Sequence, residues 1–344
     1  MRYKRHMAHP GPTNSLADVA GLAIGCAHDE KARTGVTIIV PDARAVAGVD
    51  VRGGGPGTRE TDALAAENLV DAVDAIVLAG GSVYGLAAAD GAAAAMGAEG
   101  RGFALVPQSG APVSPVIPAA ILYDLANGGD KAWSDAPPYA VLGRAAYAAR
   151  GSRVPLGNAG AGYGALAGAL KGGQGSASIV TQDGFTVAAL ACVNCFGSTT
   201  QPGGRIFWAH PFERDGEFGG LRPGDGAPQF DLEDWAGAKA NPAPRANTTI
   251  ACVALDAALT PGEAKRVAQM ASAGLARAIR PVFAPFDGDV VFALSTAQRP
   301  MPEPRPFAIA RFGALAADCL ARAVARGVFE AASLGGAPAW RDLA

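Results

Sequence analysis

The alternation of hydrophobic and polar positions predicts strands interleaved with helices along most of the chain. Three early apolar runs, "LAIGCAH", "GVTIIVPD" and "AVAGVDVRG", are rich in strand formers and separated by polar turns, so we expect an antiparallel meander. The other predicted strands are "DAIVLAGG", "FALVP", "AAILYDL", "TTIACVALD" and "DVVFALST". The segment "SASIVTQDGFTVAALACVN" predicts two more strands in a hairpin, because an Asp-Gly pair at Asp183 and Gly184 favours a tight turn.

Helical spacing predicts four helices, beginning near Glu60 and spanning about 82–96, 138–149 and 307–331. A fifth helix follows "TPGE", where Thr260 and Glu263 can form a capping box around Pro261, and its apolar face continues to Ile279. Strands and helices in this order predict an α/β fold. We expect an α-β-β-α sandwich, with two sheets between helical layers, in a single domain covering residues 1–344.

One long stretch, residues 196–246, carries Gly, Pro and charged residues with almost no periodicity. A loop of that length inside a compact domain is usually functional or mobile. It ends in "PRANTTIACVALD", where the polar triplet Asn247, Thr248 and Thr249 stands directly before strand-forming residues. This abrupt change makes the triplet a candidate functional position.

Composition and charge narrow the class of function. The chain has 344 residues, of which 49% are hydrophobic and 17% charged, and its formal net charge is −2. Such a chain can bury a large core, and it shows no basic patch for nucleic acid or an anionic membrane. The start, "MRYKRHMAHPGP", lacks the apolar segment of a secretory signal, and no apolar run is long enough to span a membrane. We therefore expect a cytoplasmic protein that acts on small molecules.

Cysteine and histidine usage gives little sign of a metal or cofactor. All five cysteines lie in apolar surroundings typical of reduced core residues: Cys26, Cys192, Cys195, Cys252 and Cys319. Cys192 and Cys195 form a C-x-x-C without a second pair, and the four histidines show no usual ligand spacing. No cofactor or metal is expected, and zinc or redox use is the lesser alternative.

Several glycine-rich stretches could bring backbone amides close to a phosphate: "RGGGPGTRE", "LAGGSVYG" and "GNAGAGYGALAG". None of them matches a complete P-loop or dinucleotide motif, so tight turns and close packing are the preferred interpretation. Ser82 follows a strand as a nucleophile elbow does, but "GGSVYG" is not G-x-S-x-G and no histidine is well placed for a triad.

A hydrolase without histidine or metal needs another base for its nucleophile. An N-terminal amine, with an ordinary pKa near 7.7–8.0, is partly neutral at physiological pH. On a threonine this amine lies within reach of its own hydroxyl. An internal threonine acquires such an amine only if the preceding bond is cut, so the Asn247–Thr248 bond is a candidate self-cleavage site.

The chain resembles the L-aminopeptidase/D-esterase family, which includes β-peptidyl aminopeptidases and nylon-oligomer (6-aminohexanoate) endo-hydrolases. The resemblance is carried by "GLAIGCAH", "AIVLAGGSVYGLAAADG", "VIPAAILYDL", "GNAGAGYGALAGALKGGQGSAS", "ALACVN", "NTTI" and "PFDGDVVFALST". It implies a self-processing N-terminal-nucleophile hydrolase, cut into fragments 1–247 and 248–344. It further implies homo-oligomers of such αβ heterodimers and a substrate that is a small peptide or amide.

The resemblance also implies roles for particular residues. Thr248 would be the nucleophile for self-cleavage after Asn247 and for catalysis, and Asn194 would donate to the oxyanion. Lys171 would lower the pKa of the new amine.

Two carboxylates, Asp287 and Asp289, would orient the lysine and the amine. Tyr84 and Tyr123 correspond to aromatic positions near the substrate. For the two tyrosines, core packing is an equally ordinary role.

Alternatives to an aminopeptidase or small-amide hydrolase remain open. A nylon-oligomer-like endo-amidase would accept a chain passing through the site. An ornithine-acetyltransferase-like enzyme would share the fold and a self-exposed threonine, but its usual "ATM" context is absent here. An uncleaved homologue could also bind a ligand without chemistry.

Overall fold

The computed structural model describes residues 7–224, 230–239 and 247–343. The strands are β1 (Leu22–Asp29), β2 (Thr34–Pro41), β3 (Val46–Val51), β4 (Thr58–Arg59), β5 (Ile76–Ala79), β6 (Ala119–Ile121), β7 (Leu166–Ala167), β8 (Leu170–Lys171), β9 (Gly173–Val180), β10 (Thr186–Asn194), β11 (Thr248–Ala257) and β12 (Val290–Arg299). The helices are α1 (Ala87–Ala98), α2 (Tyr139–Ala148), α3 (Pro261–Ala271), α4 (Ala273–Ala278) and α5 (Arg305–Phe329). Within these described ranges, no helix is long and apolar enough to cross a membrane.

Two five-stranded sheets lie between two helical layers, which confirms the predicted α-β-β-α sandwich. The first sheet has the order β1-β2-β5-β6-β4, and the second has the order β3-β12-β11-β10-β9. Helices α1 and α2 cover the outer face of the first sheet. Helices α3, α4 and α5 cover the outer face of the second.

Alternation along β11 shows how the second sheet serves two cores. Ile250 and Cys252 face the space between the sheets, whereas Ala251 and Val253 face the helices. Since side chains on a strand alternate with a period of two, Thr248 shares the inter-sheet face with Ile250. The hydroxyl at the start of this strand is therefore directed between the sheets.

The strongest local sequence signals are confirmed. The Asp183-Gly184 turn joins β9 and β10 in an antiparallel pair. Helix α3 begins with the predicted capping box, in which Glu263 accepts from the Thr260 N–H at 2.8 Å and its own N–H donates to the Thr260 hydroxyl at 3.3 Å. The predicted helix is broken into α3 and α4 at Ser272, whose hydroxyl donates to the Asp50 carboxylate at 2.6 Å.

The predicted three-strand meander is wrong in its third strand. β1 and β2 pair antiparallel as expected, but β3 crosses to the second sheet and pairs with β12. Gly48 permits this position, because a Cβ there would lie 2.3 Å from the backbone nitrogen of Lys265 in α3. Alternation of apolar residues predicts a strand but does not select its partner.

Two other predicted elements are absent from the described chain. The helix expected from Glu60 is a short 3₁₀ turn, Asp62–Leu64, and Leu69 beyond it is 87% exposed, so no apolar face exists to hold a longer helix. The "FALVP" strand is also wrong, because Leu105 and Val106 are exposed and Phe103 makes only an isolated bridge to Ser114.

The long loop is confirmed within its described parts, 196–224 and 230–239. Its regular structure there is one 3₁₀ turn, His210–Phe212.

The glycine-rich segment "GNAGAGYG", residues 157–164, packs closely against β9, since a Cβ at Gly162 would lie 2.2 Å from the Gln174 nitrogen.

Candidate active site

The ends of three strands in the second sheet meet around Thr248. In the pairing of β10 with β11, Asn194 lies directly opposite Thr248. Asp287 bridges to Asn247 beside the start of β12, and Asp289 immediately precedes that strand. All five side chains are buried, with at most 3% of the residue exposed. The structure thus brings together five of the predicted site residues.

The Thr248 hydroxyl contacts the carbonyl group that precedes it. Its Oγ1 donates to the carbonyl oxygen of Asn247, and the Gly288 N–H donates to the same oxygen at 3.0 Å. A Cβ at Gly288 would lie 2.7 Å from Thr248 Oγ1, closer than real Cβ contacts allow. Glycine at position 288 therefore provides space for the hydroxyl and a donor for the carbonyl.

The carboxylates of Asp287 and Asp289 are held by backbone N–H groups. Asp289 accepts from Thr249 at 2.6 Å and from Phe283 at 3.2 Å, and Asp287 accepts from Ala284 at 3.3 Å. Burial raises the pKa of both carboxyls, and the charge of Asp287 raises that of Asp289 further. Since two close like charges resist ionising together, each carboxyl holds its proton more readily than an isolated aspartate does.

The glycine-rich run 52–57 packs backbone against backbone on this acidic turn. The Gly55 N–H donates to the Asp287 carbonyl at 2.7 Å, and the Gly53 N–H donates to the Asp289 carbonyl at 3.2 Å. A Cβ at Gly53 would lie 2.3 Å from the Asp289 nitrogen. These glycines therefore allow close backbone packing, which was the preferred interpretation of "RGGGPGTRE".

A cavity of about 290 Å³ opens onto Thr248. Its lining comprises Gly55, Pro56, Gly57, Thr58, Ser82, Val83, Leu86, Ile121 and Thr248. Tyr84 lies on the same 3₁₀ turn as Ser82 and Val83, and its ring packs edge-on against Trp133 with 6.0 Å between centroids. The cavity joins an apolar wall to the hydroxyl of Thr248, which suits a small organic substrate.

Asn194 is held by a network that fixes the direction of its amide. Its Nδ2 donates to the carbonyl oxygen of Tyr123 at 2.9 Å, and its Oδ1 accepts from the Leu166 N–H at 2.9 Å. Tyr123, predicted as an aromatic residue near the substrate, thus contacts the site through its backbone. An amide fixed at a strand end beside Thr248 is a rigid hydrogen-bond donor.

Lys171, on the short β7–β8 hairpin, is completely buried beside this network. Its ammonium donates to the carbonyl oxygens of Gly172 at 2.6 Å and Gly162 at 3.3 Å. Burial lowers its pKa to about 7, and the charge of Asp124 acts in the opposite direction.

The Asp124 carboxylate accepts from the Gly81 N–H at 2.7 Å, and burial raises its pKa to about 6. The charge of Asp124 thus acts on Lys171 without a hydrogen bond between the two side chains, and the role of Lys171 beside Thr248 stays a prediction.

A second, partly buried lysine was not anticipated from sequence. The Lys239 ammonium donates to the backbone carbonyl of Asn194 at 3.0 Å and lies 3.4 Å from Asn194 Oδ1. Burial lowers its pKa to about 8, while the negative charges of Asp287 and Asp289 act in the opposite direction. Lys239 stands in the aperiodic loop, where no spacing or motif sets it apart from other charged loop residues.

The C-x-x-C pair is divided between two cores. Cys192 packs between the sheets and Cys195 packs against the helical layer, and burial raises the pKa of both thiols beyond the physiological range. Neutral thiols in two separate cores are packing residues.

Comparison with known proteins gives consistent matches. The model of peptidase family S58 matches residues 14–339. An uncharacterized aminopeptidase of Mycobacterium tuberculosis is 42% identical, with 96% of this chain and 98% of the relative covered. A 6-aminohexanoate-oligomer endohydrolase of Agromyces sp. is 30% identical, covering 83% of this chain and 76% of the relative.

Solved structures show the same fold. The L-aminopeptidase D-Ala-esterase/amidase of Ochrobactrum anthropi, described as a variant of the Ntn-hydrolase fold, superposes with a TM-score of 0.65 at 24% identity, covering 96% of this chain and 90% of that one. A β-aminopeptidase of Burkholderia sp. gives a TM-score of 0.65 at 22% identity, covering 94% and 88% of the two chains.

Proposed function

The chain belongs to peptidase family S58 and is a hydrolase of peptide or amide bonds, and from this premise we propose that it is a self-processing N-terminal-threonine amidohydrolase. The observation that carries the proposal is the contact between the Thr248 hydroxyl and the Asn247 carbonyl, at the edge of a cavity. In this proposal one hydroxyl performs both self-cleavage and catalysis.

Self-cleavage would begin with attack of Thr248 Oγ1 on the carbonyl carbon of Asn247. The C–N bond breaks, an ester forms between the two residues, and the hydroxyl proton ends on the new amine of Thr248. Water then hydrolyses the ester, which leaves a carboxylate on Asn247 and restores the hydroxyl. The Gly288 N–H, 3.0 Å from the Asn247 oxygen, supports this step because it can stabilise the charge that develops there.

The surroundings of Asn247 also favour a cut after it. Its side chain is completely buried, and neither its Nδ2 nor its Oδ1 has a hydrogen-bond partner among the described residues. Leaving a buried amide unsatisfied costs free energy. Breaking the bond to Thr248 would free this chain end to move and would relieve that cost.

In the processed enzyme, the α-amine of Thr248 would accept the proton of its own hydroxyl. The amine would form beside Asp287 and Asp289, whose carboxylates can orient it. Asn194, opposite Thr248 across the sheet, would donate to the oxyanion of the substrate carbonyl. Lys171 is the predicted residue that lowers the pKa of the amine.

For the substrate, we propose a small amide with a free amino group, such as L-Ala or β-Ala p-nitroanilide. A carboxylate that pairs with a buried substrate ammonium, for which Asp289 is a candidate, would be left unpaired by an acylated substrate. We therefore expect most activity to be lost on the N-acetylated forms. Equal rates on both forms would instead favour endo-hydrolysis, the activity in the name of the 30% identical Agromyces relative.

The mass of the purified protein tests self-processing. Wild-type protein should give two fragments, 1–247 and 248–344, and Thr248→Ala should remain one chain. Thr249→Ala is the matched control: it removes the neighbouring hydroxyl, keeps the backbone N–H, and should be cut normally. An intact wild-type chain, or a Thr248→Ala variant cut at the same bond, contradicts the proposal. The oligomer of αβ heterodimers is a further expectation, which light scattering on the processed protein tests.

A further inference from the structure

The segment that carries Lys239 is anchored against the end of β10. The Lys239 N–H donates to the Phe196 carbonyl at 3.0 Å, and the Ala169 N–H donates to the Gly237 carbonyl at 3.0 Å. Gly237 is thus bound to the turn of the β7–β8 hairpin, and Lys239 is bound to the residues that follow β10. These two backbone hydrogen bonds hold the lysine side chain near Asn194.

The contacts of Lys239 bear directly on the orientation of Asn194. The oxygen of the Asn194 amide faces two donors, the Leu166 N–H at 2.9 Å and the Lys239 ammonium at 3.4 Å. The nitrogen of the amide donates to the Tyr123 carbonyl at 2.9 Å. Two donors on one side identify that side as oxygen, so the NH₂ group is directed away from the lysine.

Charge gives Lys239 a second connection to the site. Among the described residues, Cys195, Asp287 and Asp289 are titratable groups near its ammonium; the Cys195 thiol is neutral, and the two carboxylates favour the charged form of the lysine. In turn, the lysine charge lowers the pKa of both aspartates. A partly buried cation beside two buried carboxylates stabilises their ionised form.

We propose that Lys239 is a positioning residue of the active site, which orients the Asn194 amide and offsets the charge of the Asp287–Asp289 pair. This inference rests on the proposed function. It implies that the last part of the first fragment helps to build the site in which the second fragment supplies the nucleophile.

The pH dependence of turnover separates this role from simple packing. Burial holds the Lys239 pKa near 8, so the ammonium is charged below that pH and loses its proton above it. We expect kcat to fall as the pH rises through this range. Arginine stays charged, so Lys239→Arg should retain activity and move this alkaline limb to higher pH.

The test compares Lys239→Met and Lys239→Arg with the exposed-surface control Lys265→Met, using processed protein and β-Ala p-nitroanilide. Lys239→Met should lower kcat about tenfold to hundredfold with little change in KM, since it removes a charge-assisted hydrogen bond. Lys239→Arg should recover most of that loss, and Lys265→Met should match the wild type.

Wild-type kcat in Lys239→Met, or equal losses in the methionine and arginine variants, would overturn the inference. If Lys239→Met does not fold, the alkaline limbs of wild type and Lys239→Arg decide, and identical limbs would overturn it. Failure of the proposed function would show in the wild type and in Thr248→Ala. Failure of this inference shows only in the Lys239 variants.

Discussion

Two lysines near Asn194, the buried Lys171 and the partly buried Lys239, have contrasting surroundings. Lys171 donates to the backbone carbonyls of Gly172 and Gly162, and the opposite charge that acts on it is Asp124. Lys239 donates to Asn194 itself and lies in the field of Asp287 and Asp289. Burial alone therefore does not mark a lysine as part of the chemistry around Thr248, whereas its partners do.

The largest expected difference between the surroundings of Lys239 and those of Lys171 is in kcat, when one asparagine in each is replaced by alanine. Asn194→Ala removes the proposed oxyanion donor and should lower kcat by roughly 10²–10³-fold. Asn127 contacts the segment 162–164, which also binds the Lys171 ammonium. Its Nδ2 donates to the carbonyls of Arg33 at 2.7 Å and Gly164 at 3.0 Å. Asn127→Ala should lower stability and leave kcat within about tenfold of wild type. Steady-state kinetics with circular-dichroism melting measure both effects, and similar kcat losses would remove the distinction.

The space around the Thr248 hydroxyl gives the next effect. Gly288→Ala places a Cβ against Oγ1 and should slow self-cleavage by about 10²-fold, because displacing a nucleophile by an ångström has that cost. Gly262→Ala is the matched control, since no atom lies within 4 Å of its added Cβ. The fraction of cut chain over time, measured by denaturing gel, gives the rates. Normal processing of Gly288→Ala would show that the hydroxyl does not act from this position.

The burial of Lys171 should affect how the free energy of unfolding depends on pH. Because its pKa is about 7 when folded and 10.5 when unfolded, the unfolded chain binds more protons between these values, and wild-type stability rises with pH there. Lys171→Met lacks this term, so its stability relative to wild type should fall by ~1.4 kcal/mol per pH unit above pH 7.

Guanidinium unfolding of both proteins in the single-chain Thr248→Ala background, at pH 7 and pH 9, measures the difference. A constant difference would mean that Lys171 is not held near neutrality by burial.

Local sequence signals predicted those parts of the fold that local forces determine. The Asp183-Gly184 hairpin and the Thr260 capping box depend on neighbouring residues, and both are present. The partner of β3 and the exposed run at 103–107 depend on packing between distant segments, which alternation cannot report. The layers of the fold were therefore predictable from sequence, whereas the pairing of particular strands was less so.

The same limit applies to the site. Resemblance to a family identified Asn194, Thr248 and the two aspartates, which the structure brings together. Lys239 joins them through a loop whose composition carries no periodic signal, so its place could not be inferred from spacing. Lys171 was chosen by its motif, but its ammonium binds the backbone carbonyls of Gly162 and Gly172, and the charge that acts on it is that of Asp124, which the sequence analysis did not consider.

The most direct test of Thr248 as the nucleophile is the site of acylation. Processed wild-type protein, mixed with an activated alanine ester and quenched in acid during the first turnover, can be examined by intact and fragment mass spectrometry. One alanyl group is expected on the 248–344 fragment, located at Thr248. An alanyl group carried specifically by another residue, or by the 1–247 fragment, would contradict Thr248 as the nucleophile.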